Sequence, residues 1–135
     1  MTRLVSRPFV VGAIALAFVA GPLAGGPAAA ETVEDVFVRY YSAIHAAELC
    51  TDYHLEQDGP TDPDADWIGK AQSNMGNYIS AQVGGAIGAG DRLHLIERAK
   101  GETDAHIGDL GCDDPKSVML LEIFSNELEP LLPAQ

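Results

Sequence analysis

The chain has 135 residues, of which 47% are hydrophobic, and its 8 basic and 20 acidic residues give a formal net charge of −12. This charge repels nucleic acid and anionic lipid, so we exclude both as partners. A cationic partner is compatible with it, but an ordinary solvated acidic surface explains the same composition, so acidity alone identifies no ligand.

The first thirty residues have the three parts of a secretory signal peptide. Arg3 and Arg7 form the positive end, an apolar run from Phe9 to Ala20 follows, and small residues lead to Ala30. The run is too short for a bilayer span, so we predict cleavage after Ala30 and no stable membrane insertion afterwards. The protein is then periplasmic or secreted. A signal that stays uncleaved and acts as a membrane anchor is the competing interpretation.

Residues 31–135 form the predicted mature domain. Its 105 residues are enough for one domain with a single modest core, and the loss of Arg3 and Arg7 brings its formal charge to −14. Helical signals run through almost all of this domain, and we find no convincing strand in it.

The first predicted helix begins after Thr32, which forms a capping-box pattern with Asp35. It ends near Cys50. Apolar residues recur along it at steps of three and four, which indicates one buried helix face. They are Val33, Val36, Phe37, Tyr40, Tyr41 and Ile44.

The segment TDYHLEQDGPTDPDAD, residues 51–66, predicts an acidic surface loop that leads into a second helix. Asp62 is the predicted cap of that helix, with Pro63 in its first turn. Glycines weaken the helix by about 1 kcal/mol each relative to alanine, so we expect its far end to be irregular. Its predicted apolar face consists of Trp67, Ala71, Met75, Tyr78, Ile79, Val83 and Ala86.

The glycine-rich segment VGGAIGAGD, residues 83–91, predicts a turn between the second and third helices. It lacks the terminal lysine and hydroxyl residue of a phosphate-binding loop, and no strand precedes it. We place the cap of a short third helix at Asp91 and its end at Gly101. The segment ETDAHIGDLGC, residues 102–112, is then a predicted loop.

The last predicted helix begins with Asp114 as cap and Pro115 in the first turn, and Pro130 ends it. Its apolar stripe is wide, which suits a helix with neighbours on two sides. We expect it to bury Val118, Leu121, Phe124 and Leu128.

Cys50 and Cys112 are the two cysteines of the chain. An exported protein with an even number of cysteines normally oxidises them, so we predict a Cys50–Cys112 disulfide. Closing that loop stabilises the fold by about 4 kcal/mol in the chain-entropy description. A reactive thiol at Cys112, just before a helix start, is the alternative, but the chain has no CxxC motif. The four histidines are scattered without the spacing of metal ligands.

The disulfide joins the end of the first helix to the start of the last one. If these helices also pack along their apolar stripes, they run antiparallel, with Tyr40 and Ile44 near the level of Val118 and Leu121. The second and third helices cover the remaining face. The predicted fold is therefore all-α, a small four-helix array with one disulfide, preceded by a cleavable signal peptide.

Asp62, Asp64 and Asp66 imitate the start of a calcium-binding loop. The imitation is weak, because Trp67 and Ser73 stand where such a loop needs glycine and glutamate. A helix cap and the helix dipole explain the three acids without a metal. We therefore predict no metal site and no cofactor, and keep these acids as a weak calcium candidate.

The sequence marks no catalytic constellation. Paired carboxylates are available everywhere in so acidic a chain, and no serine lies in a nucleophile elbow. His45 lies one turn after Tyr41 at the edge of the first helix's apolar stripe, where a hydrogen-bonded structural role outweighs that of a general base. A small hydrolase-type enzyme is kept as a further alternative.

Two non-enzymatic functions lead. The first is an interaction or accessory module that binds another envelope or extracellular protein through an apolar groove rimmed by acids. Tyr40, Tyr41 and Trp67 are its candidate anchors, although aromatic residues at helical spacing are more often core. The second is an acid-stress or pH-responsive periplasmic chaperone, which protonation of its carboxylates would loosen.

Overall fold

The computed structural model describes residues 30–54 and 65–134, which form four α-helices and contain no strand. The helices are Val33–Cys50 (α1), Ala65–Gln82 (α2), Ala89–Leu110 (α3) and Pro115–Ile123 (α4). A π-helical segment, Phe124–Leu128, and a 3-10 turn, Glu129–Leu131, follow α4. The predicted signal peptide and the predicted Asp62–Pro63 helix start lie outside the described residues. Within that part of the chain, every helix is too short or too polar to cross a membrane.

α1 is the central helix and contacts each of the other three. Its predicted capping box is confirmed: the Asp35 N–H donates to the Thr32 hydroxyl at 3.1 Å, and the Asp35 carboxylate accepts from the Thr32 N–H at 3.3 Å. Buried alanines allow neighbouring helices to approach closely, and large side chains fill the rest of its buried face. The buried residues of α1 are Phe37, Val38, Tyr40, Ser42, Ala43, Ala46 and Ala47.

α3 is twice as long as the sequence predicts. The predicted end at Gly101 is wrong, and so is the predicted loop over residues 102–112, because the helix continues to Leu110 and ends at Gly111, whose φ is 83°. An exposed glycine inside a helix costs about 1 kcal/mol, and the burial of Ala99 and Thr103 outweighs that cost. Asp91 lies in the first turn, and the cap is Gly88.

The last helix starts as predicted, but its first turns bury a different face. The Asp114 carboxylate accepts from the Lys116 N–H at 3.0 Å, and proline occupies the first turn. Val118, predicted to be buried, is 40% exposed, whereas Ser117 and Leu120 are buried. Phe124 and Leu128, in the π-helical segment that follows α4, are buried as predicted.

The predicted disulfide is confirmed. Cys50 at the end of α1 is bonded to Cys112, in the short connection between α3 and α4, with Cα atoms 5.9 Å apart. Tyr40 lies before Cys50 in α1, and its hydroxyl is hydrogen-bonded to Glu127, which lies after Cys112 and α4. The two helices therefore run antiparallel, as expected. α1 and α3 run in the same direction, because Asp35 lies near Arg98 while the two ends meet at the disulfide.

α2 lies against the C-terminal segment of the chain. The Trp67 indole N–H donates to the carbonyl of Pro133 at 2.8 Å, and the Asn74 amide donates to the carbonyl of Leu131 at 2.9 Å. The predicted glycine turn follows α2, with φ values of 63° and 69° at Gly84 and Gly85. Only glycine adopts these values at little cost, so the turn ends the helix there.

Candidate functional site

A groove opens between α1, α2 and α3. It consists of two adjoining cavities of about 290 and 310 Å³. We call their combined lining the α1–α2–α3 groove. Both cavities are lined by Tyr41, Gly76 and Ile96. The first adds Ile44, His45, Glu48, Gln72, Met75 and Lys100, and the second adds Phe37, Ser73, Asn77, Ser80 and Arg92.

The groove exists because α2 presents a glycine where it faces the ring of Tyr41. A Cβ atom on Gly76 would lie 3.8 Å from the Tyr41 hydroxyl oxygen, so a larger side chain there would project into the cavity. Ile44 and Ile96 pack against the core but remain partly exposed, and Met75 is fully buried below them. The first cavity therefore has an apolar floor that solvent reaches.

The second cavity is polar, and Arg92 lines it. The Arg92 Nε–H donates to the carbonyl of Ile87 at 3.1 Å, and its Nη groups have no hydrogen-bond partner in the described part of the chain. The Tyr41 hydroxyl has no hydrogen-bond partner among residues 30–54 and 65–134. Burial raises the pKa of Tyr41, and the positive charge of Arg92 acts in the opposite direction. Both groups are donors at neutral pH.

His45 lies at the edge of the first cavity with both ring nitrogens occupied. Nδ1 lies 3.1 Å from Glu48 Oε2, and Nε2 lies 2.7 Å from Asp104 Oδ1 on α3. The hydrogen bond to Glu48, followed by that to Asp104, raises the pKa of His45 against the opposing effect of burial. Two carboxylate partners favour the doubly protonated imidazolium, which has no lone pair with which to act as a base.

The three candidate anchor residues lie in different environments. Tyr40 is buried, and its hydroxyl donates to Glu127 Oε2 at 2.6 Å. The Tyr78 hydroxyl donates to the same oxygen at 2.9 Å. Burial, followed by the bond to Glu127, raises the pKa of Tyr40. Trp67 is half-buried against the C-terminal segment, whereas Tyr41 lines both cavities of the groove. Tyr41 is therefore the candidate that the structure brings to a concave surface.

The weak calcium candidate gains no support. Asp62 and Asp64 lie outside the described residues. Asp66 is exposed and forms an ion pair with Lys70 at 2.8 Å, one helical turn later. Among residues 30–54 and 65–134, no group of three or more metal-binding side chains comes together.

Three residues of the groove, Arg92, Ile96 and Gly76, were not predicted as site residues from the sequence. Arg92, Ile96 and Lys100 are spaced by four residues, which places them on one face of α3. This spacing can be seen in the sequence. The sequence does not show that the face borders a groove, because the position of Gly76 of α2 opposite this face depends on how the helices pack.

Comparisons with protein-family models, with curated proteins and with solved structures find no match to this chain.

Proposed function

We propose that this protein is an exported, non-enzymatic binding module that receives an apolar side chain of a protein partner in the α1–α2–α3 groove. The observation that carries the proposal is the first cavity, about 290 Å³ in volume, with Ile44, Met75 and Ile96 forming its floor. Concave surfaces with an apolar floor and a few polar groups at the edge are typical of binding sites, so this cavity favours a binding role.

The volume of the cavity sets the size of the group that fits. Engineered apolar cavities of about 150 Å³ accept one benzene ring, so about 290 Å³ accommodates an aromatic side chain or a branched aliphatic one with space to spare. The half-exposed ring of Tyr41 borders the same space. Aromatic residues beside a desolvated pocket are typical of the centre of a protein interface.

The disulfide bears on the compartment in which such a partner is met, and the net charge bears on the partner's surface. The Cys50–Cys112 disulfide is of the kind that oxidising compartments produce, which supports a periplasmic or extracellular location together with the signal peptide predicted from the sequence. The formal charge of −14 expected for the mature chain attracts partners whose surfaces are basic overall. His45, the one histidine in the cavity lining, has both nitrogens bound to carboxylates, which argues against acid–base catalysis there.

The experiment that tests the proposal compares two matched leucine variants. Gly76→Leu places a side chain into the groove, whereas Gly69→Leu adds one on the same helix where a Cβ has no neighbour within 4 Å. Immobilised mature protein and the Gly69→Leu variant are expected to capture the same protein from envelope extract, and Gly76→Leu is expected to lose it. Equal capture by both variants would refute binding in the groove.

A further inference from the structure

We propose that Arg92 and Tyr41 form a carboxylate-binding end of the groove, so that the partner enters with its C-terminal residue. The free α-carboxylate of that residue binds at the second cavity, and its apolar side chain fills the first. This inference rests on the proposed function, because it names the chemistry of the segment that the groove receives.

Arg92 differs from the other arginines of the predicted mature chain. Arg39 binds Glu31 at 2.8 Å, and Arg98 binds Glu102 at 2.9 Å. Arg92 makes no ion pair with any residue in 30–54 or 65–134, although the chain as a whole has 20 acidic and 8 basic residues. A partly buried guanidinium without a carboxylate, lining a cavity, is a site prepared for an anionic ligand.

Tyr41 supplies a second donor to the same cavity. Its hydroxyl is free of hydrogen bonds within the described ranges and lies at the boundary between the polar and apolar cavities. Ser73, Asn77 and Ser80 of α2 line the opposite wall and add hydroxyl and amide donors. This donor set suits a carboxylate, which accepts several hydrogen bonds through its two oxygens.

The arrangement of the two cavities favours a terminal residue over an internal acidic one. Arg92 and Ile96 are one helical turn apart, or about 6 Å along α3. A C-terminal residue carries its carboxylate and its apolar side chain on the same Cα, so both groups reach sites at this separation. An internal aspartate or glutamate would bring a carboxylate but leave the apolar floor at Ile44 and Met75 uncovered.

The closing experiment uses short mixed-sequence peptides ending in leucine or phenylalanine, prepared as free acids and as C-terminal amides. Calorimetric titration of the mature protein is expected to show binding of the acids and at least tenfold weaker binding of the amides. Equal binding of acids and amides would overturn the carboxylate inference while leaving the groove as a binding site. Binding of neither series would overturn the proposed function as well.

Variants then locate the carboxylate. Arg92→Gln and Tyr41→Phe are expected to weaken binding of the free acids to the level of the amides. Lys116→Gln, which removes the same charge from an exposed position on α4, is expected to leave binding unchanged. Melting curves confirm that each variant is folded. If Arg92→Gln is folded and still prefers the acids, Arg92 is not the anchor.

Hexanoate distinguishes a peptide terminus from a free amphiphilic acid. It is expected to compete only weakly with the free-acid peptides, because it lacks the backbone N–H and C=O groups that a peptide would offer to the polar side chains along α2. Hexanoate binding as tight as that of the peptides would overturn a polypeptide as the occupant.

Discussion

Tyr41 and Gly76 face each other across the groove, with the Tyr41 hydroxyl oxygen 3.8 Å from the position that a Cβ atom on Gly76 would take. This is an ordinary van der Waals distance, so a Cβ atom at Gly76 fits without displacing its neighbours. The glycine is therefore not required by close packing of α1 against α2. Its consequence is the space it leaves open.

The first prediction follows from that space. Gly76→Leu and Gly69→Leu each replace a helical glycine of α2, so each is expected to raise the free energy of unfolding by about 1 kcal/mol. Only Gly76→Leu should abolish partner binding. Chemical denaturation measures the free energy of unfolding, and calorimetric titration with the free-acid peptides measures binding. A Gly76→Leu protein that is stabilised and still binds would contradict the assignment of the groove.

The second prediction concerns the disulfide. Cys50 and Cys112 are 62 residues apart, and closing a loop of that length contributes about 4 kcal/mol through the unfolded state. Reduction, or replacement of both cysteines by serine, is expected to lower the melting temperature by roughly 15 °C. Calorimetry with and without reductant measures this shift. A serine double variant that melts with the oxidised native protein would show that the bond stabilises little.

The third prediction is a pH dependence set by His45. Because its pKa is raised in the folded state, protonation stabilises the fold. The stabilisation by protonated His45 is fully present below the histidine pKa of the unfolded chain, about 6.5. It disappears as the pH rises through the higher pKa of His45 in the folded protein. His45→Gln is expected to cost about 1 kcal/mol at pH 6 and progressively less at higher pH.

Denaturation at several pH values measures the effect of His45→Gln. His94→Gln, which removes an exposed histidine of α3, is the control and should change little. A His45→Gln penalty that is constant from pH 6 to pH 9 would mean that the charge of His45 does not link α1 to α3.

The fourth prediction separates the binding module from the acid-responsive chaperone. Hydrogen bonds from Thr32 lower the pKa of Asp35, and the His106 contact, 2.7 Å long, lowers that of Asp114. The ionised carboxylates of Asp35 and Asp114 therefore stabilise the fold above the unfolded pKa of about 3.8. This stabilisation is lost as the pH falls through their lower pKa values in the folded state.

The fold is therefore expected to stay closed at pH 5, with no increase in the fluorescence of a dye that binds exposed apolar surface. Lysozyme at the same pH is a suitable closed control. Strong dye binding at pH 5, together with protection of a client protein from aggregation, would instead favour the chaperone.

Local patterns in the sequence predicted the ends of helices well where a side chain makes the cap. Thr32 with Asp35, and Asp114 with Pro115, specify their helix starts through bonds to residues two or three positions away. Such contacts depend on little beyond the segment itself. The pairing of the two cysteines followed from their number, because two cysteines allow one intramolecular bond.

The predicted end of α3 was wrong because tertiary contacts, and not a local glycine, decide where this helix ends. Gly101 looked like the end of α3, but its small cost is outweighed by the burial of the helix against α1, and the true end is at Gly111. The first turns of α4 were mispredicted as well: Ser117 and Leu120 are buried and Val118 is exposed, because contacts with the other helices select the buried face.

The sequence by itself determined the class of fold, the caps at Thr32 and Asp114 and the covalent link, because each depends on local bonding or on counting. Only the tertiary structure decided the groove, since it arises where Gly76 of α2, Tyr41 of α1 and the Arg92–Ile96 face of α3 meet. A cavity is a property of the space between elements. It is fixed by how three helices pack, which no single helix encodes.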